Sequence, residues 1–246
     1  MQKFPKIVFK IDCNLDIKVL DALFQKRNSK LGKQSLKWAI EPHPPLKKVL
    51  EDKHIPIPYQ QKLITFYVLG FYQKNLRKIN SQTIEVKRTW ENVKIKYFEF
   101  LDRIFKGYPW PKGKYVAFPT ILGIYSRNIE DKTFQFPYEH SIAGYPLAVI
   151  AHEMLHFIFY DYLFKNYPQY KKAKNSLVVW HISEIFNSVI QKTEEWRKIF
   201  KVKLLDYPQH AQIIRKLEKK YKHKMIVNHL IDDIIREIDK NKNLFH

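Results

Sequence analysis

Two histidines four residues apart inside an otherwise apolar run set the tightest condition this chain imposes on its own fold. The run reads Val149-Ile150-Ala151, then His152-Glu153-Met154-Leu155-His156, then Phe157-Ile158-Phe159. It contains no proline, and Glu153 is its one charged residue. It therefore reads as a helix buried around most of its circumference, with a polar notch. At about 3.6 residues per turn, positions four apart share a helix face, so both imidazoles project together and Glu153 stands beside them. Unpaired imidazoles and a carboxylate are costly in apolar surroundings. Either a metal ion takes them, or the histidines bond internally and Glu153 pairs with a lysine.

The spacing is that of a zinc-dependent hydrolase, in which the intervening Glu is the general base. Such a site needs a third protein ligand and keeps a fourth position open. The residues after His156 lack the glycine at 159 and the histidine at 162 of a metzincin, since Phe159 and Tyr162 stand there. Farther on, Trp180 to Ile190 reads as a second amphipathic helix with Glu184 on its polar side, and Glu184 ranks first as third ligand. His181, one turn before Glu184, and Asp161, five residues after His156, are the rivals. Asp161 ranks low because no glycine breaks the helix to swing it back to the metal.

Over about residues 133–200 the chain resembles the gluzincin clan of metallopeptidases, whose histidine-pair helix is followed by a helix donating a glutamate. The resemblance is to the small, undecorated prokaryotic members. It implies an α+β, zincin-like fold: a small mixed sheet, an active-site helix and a backing ligand helix packed antiparallel to it. It also implies one Zn2+ per chain on His152, His156 and Glu184, with Glu153 as general base of a peptidase acting on peptide or protein substrates. The chain departs from the thermolysin-like pattern around the ligand glutamate, where Ser183 replaces an Asn and Asn187 an Asp. Asn187 or Ser188 is then expected to orient a ligating histidine.

In the expected mechanism, zinc lowers the pKa of its water towards ~7, and Glu153 takes the proton and passes it to the leaving amine. The oxyanion needs another donor. Tyr207 and His210 are the candidates, against the plainer alternatives of a packed tyrosine and a helix-start histidine. Lys132 to Pro137 alternates like a half-buried strand, and an extended peptide is one possible partner for it, an ordinary sheet strand the other. Pro146 suits the first turn of the histidine helix, after Gly144 and Tyr145.

With 246 residues and 45% hydrophobic content, the chain has enough for a sizeable core. The expected division is a mainly helical region, 1–108, and a catalytic unit, 109–246, either distinct or merged in one compact body. Cys13 is the only cysteine, which rules out an intrachain disulfide and a cysteine zinc site. No signal-like segment and no uninterrupted apolar stretch of membrane-spanning length is seen, so a cytoplasmic protein with no membrane partner is expected. The formal charge of +20 raises nucleic acid or an anionic surface as a partner. The lysines are spread among many Ile, Asn, Tyr and Phe, as in an AT-rich coding bias, and no nucleic-acid motif accompanies them. Specific nucleic-acid binding is not expected. The alternative function is a catalytically silent zinc-binding protein working through its basic surface.

Elsewhere the periodicity predicts a helix over Leu15 to Phe24 with Asn14 as N-cap, a proline break at 42–45, and helices at about 59–79 and 83–106. Strand-like segments follow at 115–119 and 121–125. After Glu184 the helix is expected to run to about Phe200, and a final one to cover about 209–239, with Ile231, Ile234, Ile235 and Ile238 on a packed side.

Overall fold

The computed structural model describes residues 4–52, 54–174, 176–222 and 225–241. The architecture is mixed α+β: ten helices and four short strands among the described residues. Of the polar tail Asn241-Lys242-Asn243, which the sequence suggests should fray, Lys242 and Asn243 lie outside the described residues. The chain divides into two compact units. One comprises 6–88 and 114–141, the other 1–5, 89–113 and 142–246. The units cut across the boundary expected at 108/109 because the first strand pairs far along the chain.

The first unit is built on a sheet of order β1-β2-β4-β3. β1 (Ile7–Phe9), β2 (Tyr115–Thr120) and β4 (Thr133–Pro137) are parallel, with Ile7 opposite Tyr115 and Val116 opposite Thr133. β3 (Arg127–Asn128) closes the edge antiparallel, Arg127 opposite Phe134. β4 is thus an interior strand over its first half, so the edge a bound peptide needs is already taken by β3 there. Residues 121–125, expected as a strand, form a bend over 121–124 and an irregular residue at 125 instead. Helices α1 (Cys13–Gln25), α2 (Lys30–Ile40) and α3 (Pro44–Glu51) complete this unit with the first part of α4 (Ile57–Ile104). Leu20, Phe24, Leu36, Ile64, Val68, Tyr72 and Ile79 form its core. The N-cap of α1 is Asp12 rather than Asn14: the Asp12 carboxylate accepts the Asn14 N–H at 3.0 Å.

A buried carboxylate fastens α1 to the sheet. Asp16 accepts hydrogen bonds from the Tyr72 hydroxyl (2.8 Å), the Thr120 hydroxyl (2.6 Å), the Ile121 N–H (3.1 Å) and the Gln135 amide (2.5 Å). Burial raises its pKa, and the four donors oppose that rise.

α4 is one helix of 48 residues where two were expected. Between 79 and 83 lie only Asn80, Ser81 and Gln82, of which the first two are weak helix formers but none is a breaker, and Thr83 bonds back to the Ile79 carbonyl at 2.7 Å.

The second unit packs the end of α4 with α5 (Tyr145–Asn166), α6 (Pro168–Lys171), α7 (Leu177–Gln191), α8 (Glu194–Phe200), α9 (Ala211–Lys220) and α10 (Val227–Lys240). The expected helix to Phe200 is interrupted: Thr193 caps α8, its hydroxyl accepting the Trp196 N–H. The expected terminal helix is likewise two, α9 and α10, and Ile231, Ile234 and Ile238 are buried as expected while Ile235 is half-buried. Tyr97, Phe98, Trp90, Trp196 and Phe200 pack into an aromatic cluster through tilted and edge-to-face contacts. The Tyr97 hydroxyl donates to the Ala151 carbonyl at 2.6 Å, one residue before His152. α5 is the one described helix long and apolar enough to cross a membrane, and 78% of its apolar window is buried within the fold, as suits a core helix.

Candidate metal centre

α5 starts at Gly144, whose φ of +79° is a left-handed conformation that glycine adopts without strain, followed by Pro146 in the first turn. Its middle is buried on nearly every side, which fixes the ring positions of His152 and His156. α7 starts at Ser176, whose hydroxyl accepts the Val179 N–H, and brings Ser183, Glu184, Asn187 and Gln191 to the same place.

The two Nε2 atoms face each other 3.0 Å apart. Glu184 offers one carboxylate oxygen to each: Oε2 lies 3.5 Å from His152 Nε2 and Oε1 3.5 Å from His156 Nε2. Metal–ligand bonds of about 2.0–2.2 Å in tetrahedral geometry put neighbouring ligand atoms about 3.4 Å apart. The two nitrogen–oxygen distances, each to a different carboxylate oxygen, have that size, and the two nitrogens stand closer together. Glu153 also comes close, and His152, Glu153 and His156 place ligand-type atoms within 4.8 Å of one another. Its oxygen is 3.9 Å from His152 Nε2, farther than either Glu184 distance. The group can hold a metal ion.

Each ring is held from behind. His156 Nδ1 lies 2.6 Å from the Ser183 hydroxyl, and His152 Nδ1 lies 2.5 Å from the Gln191 side-chain amide. With its NH2 turned to Nδ1, Gln191 makes His152 the donor of the single proton shared between the Nε2 atoms. Turned over, its oxygen accepts Nδ1–H and both Nε2 lone pairs are freed for a cation. Asn187, expected to orient a histidine ring, instead donates to the His152 backbone carbonyl at 3.1 Å. The ring partners are Gln191 and Ser183, not Asn187 or Ser188. Gln191 could have been found from its spacing, two turns after Glu184 on the same face.

Exposure is uneven. The His152 side chain keeps 17% of its surface, while Glu153, His156 and Glu184 are closed off at 3% or less. His152 is the member of the group that meets solvent.

The two rival ligands point elsewhere. Asp161 accepts the Tyr108 hydroxyl at 2.6 Å. His181 Nδ1 lies 2.7 Å from His210 Nε2. Tyr207 and His210 gather with Trp180 and His181 in one aromatic cluster beside the start of α7. Burial and the neighbouring His181 push the His210 pKa down to about 4, with Glu184 and Asp206 pulling the other way. His210 is thus neutral at pH 7. Its Nε2 is engaged by His181, so an oxyanion role through that atom requires His181 to give way. The Lys192–Asp206 ion pair, 2.6 Å and largely shielded, anchors the residue before Tyr207 to the end of α7.

No protein-family model matches the chain, and no curated protein or solved structure matches it either.

Proposed function

We propose that the chain is a zinc-dependent peptidase, with His152, His156 and Glu184 holding the ion and Glu153 serving as general base. The observation that carries the reading is the Glu184 carboxylate spanning two imidazole nitrogens 3.0 Å apart at metal-ligand spacing, inside an apolar helix pair. Two neutral nitrogens and one carboxylate suit a borderline-soft dication. When bound, zinc supplies Lewis acidity and lowers the pKa of a coordinated water.

The chain's own residues do the rest. Ser183 and Gln191 fix the ring orientations, and Gln191 with its oxygen turned to Nδ1 sets the His152 tautomer that ligation needs. The shielded carboxylate of Glu153, beside His152, takes a proton from the attacking water and returns it to the amine nitrogen as the C–N bond breaks. The partial exposure of His152 makes its side the entry for a scissile carbonyl, and the buried surroundings keep bulk water away from the base.

The test is cleavage of a quenched-fluorescence peptide library by the full chain, with chelator, with zinc restored, and as Glu153→Gln. The reading expects cleavage abolished by chelator, recovered with zinc and lost in the variant. Cleavage indifferent to all three refutes it. Stoichiometric zinc without cleavage favours a metal-holding protein with no hydrolytic role.

A further inference from the structure

The stretch of α4 from Ile57 to Ile84 carries Lys62, Lys74, Arg77 and Lys78 and no aspartate or glutamate. One face of it, with Val68, Tyr72 and Ile79, is buried in the core of its own unit. On the opposite side stand large apolar residues in the open: Phe66 at 70% exposure, Ile84 at 65%, Tyr59 at 56%, with Leu69 and Leu76 along one flank. At about 100° per residue, Tyr59, Phe66 and Ile84 fall within about 20° of one another, and Arg77 falls among them. Lys62 and Lys74 are exposed on either side of that line, while Lys78 pairs with Glu139. Gly70, also on this face, has open space around it.

Tyr59, Phe66 and Leu69 lie within three turns of one another, and Leu76 and Ile84 extend the exposed apolar surface at wider spacing among Gln73 and Arg77; large exposed apolar side chains gathered on one face, unlike scattered single ones, need a reason. The charges on the face decide what covers it. A second copy would set Lys62, Lys74 and Arg77 against the same cations, and the nearby carboxylates, Glu85 and Glu139, are already paired with Arg88 and Lys78. A nucleic-acid backbone matches the cations and leaves Phe66, Leu69 and Ile84 against phosphate. A bilayer interface satisfies both: aromatic and aliphatic side chains enter the headgroup–acyl boundary while lysine and arginine meet anionic headgroups.

We propose that this face of α4 seats the protein on a membrane surface containing anionic phospholipid, lying on the bilayer rather than spanning it. The inference rests on α4 alone and stands or falls independently of the metal centre.

The experiment is co-sedimentation of the full chain with vesicles of phosphatidylcholine alone and of phosphatidylcholine mixed with phosphatidylglycerol, at physiological ionic strength. The comparison is with Phe66→Ser/Ile84→Ser, which leaves the net charge unchanged and alters only exposed positions. Thermal melting checks that the variant is folded, and Gly70→Ser serves as a second, milder polar change on the same face. The expected result is binding to the anionic vesicles only, weakened about tenfold or more in the double variant because the apolar anchors are gone. Equal binding by wild type and variant means the +20 charge acts alone and overturns the proposal. So does absence of anionic-vesicle binding, or a dimer in sedimentation velocity that the double variant dissolves without any vesicle binding.

Discussion

Gln191 stands behind His152, its side-chain amide 2.5 Å from Nδ1, where zinc-type histidines are usually held by a carboxylate or a carbonyl. An uncharged amide orients the ring without adding negative charge to the centre. Removing it with Gln191→Ala is expected to lower metal affinity about 10- to 100-fold, and Ser183→Ala to act in the same direction through His156. Competition against a calibrated chelator measures both. Gln191→Glu, which restores a carboxylate, is expected to bind metal at least as tightly as wild type.

Glu153 and Glu184 are predicted to separate cleanly. Glu153→Gln keeps the three ligands and loses the base, so bound metal is retained while hydrolysis falls by about 10²–10⁴-fold. Glu184→Ala removes a ligand, so metal and hydrolysis are lost together. Paired measurements of metal content and peptide cleavage distinguish the two.

The pH dependence of the sheet-bearing unit has an identifiable contributor in His43. The ring is buried, with Nε2 2.7 Å from the Ile121 carbonyl and Nδ1 3.0 Å from the Tyr67 hydroxyl. Neutral His43 donates through Nε2 and accepts through Nδ1. Burial lowers its pKa, with the Ile121 bond partly opposing. The folded pKa thus lies below the unfolded value, and this contribution to stability is present above about pH 6.5 and lost as pH falls through the folded pKa. Chemical denaturation between pH 7.5 and about 5 is expected to show that loss, and His43→Gln to flatten it. Tyr67→Phe removes the donor to Nδ1 at a cost of about 1 kcal/mol.

Two glycines are predicted to respond oppositely to alanine. At Gly70, within α4, an added Cβ meets nothing within 4 Å, so Gly70→Ala is expected to stabilise by about 0.5–1 kcal/mol. At Gly123 the same Cβ falls 2.3 Å from the Trp38 carbonyl oxygen, a backbone atom, and Gly123→Ala is expected to destabilise by about 1–3 kcal/mol. Thermal melts of the two variants beside wild type give the comparison.

The gathering of His152, His156 and Glu184 was legible in the sequence because these residues obey helical spacing: the histidines stand one turn apart, and Glu184 lies on a second strongly patterned helix. The ring partners were not, because a serine beside the ligand and a glutamine two turns on are ordinary helix residues until the packing of α5 on α7 aims them. Helix existence was readable from apolar periodicity, and helix ends less so. Thr193 ends one expected helix and begins α8, while the run through Asn80, Ser81 and Gln82 stays helical because burial of Ile79 and Thr83 outweighs weak local propensity. The parallel pairing of Ile7 with Tyr115 joins residues more than a hundred positions apart, and no local pattern announces it.

The most direct test of the central claim is metal stoichiometry of the purified full chain after equilibration with zinc, beside His152→Ala, Glu184→Ala, His181→Ala and Glu153→Gln. The account predicts one zinc per chain in wild type, His181→Ala and Glu153→Gln, and its loss in His152→Ala and Glu184→Ala. Wild type without zinc, or zinc retained in Glu184→Ala and lost in His181→Ala, contradicts it.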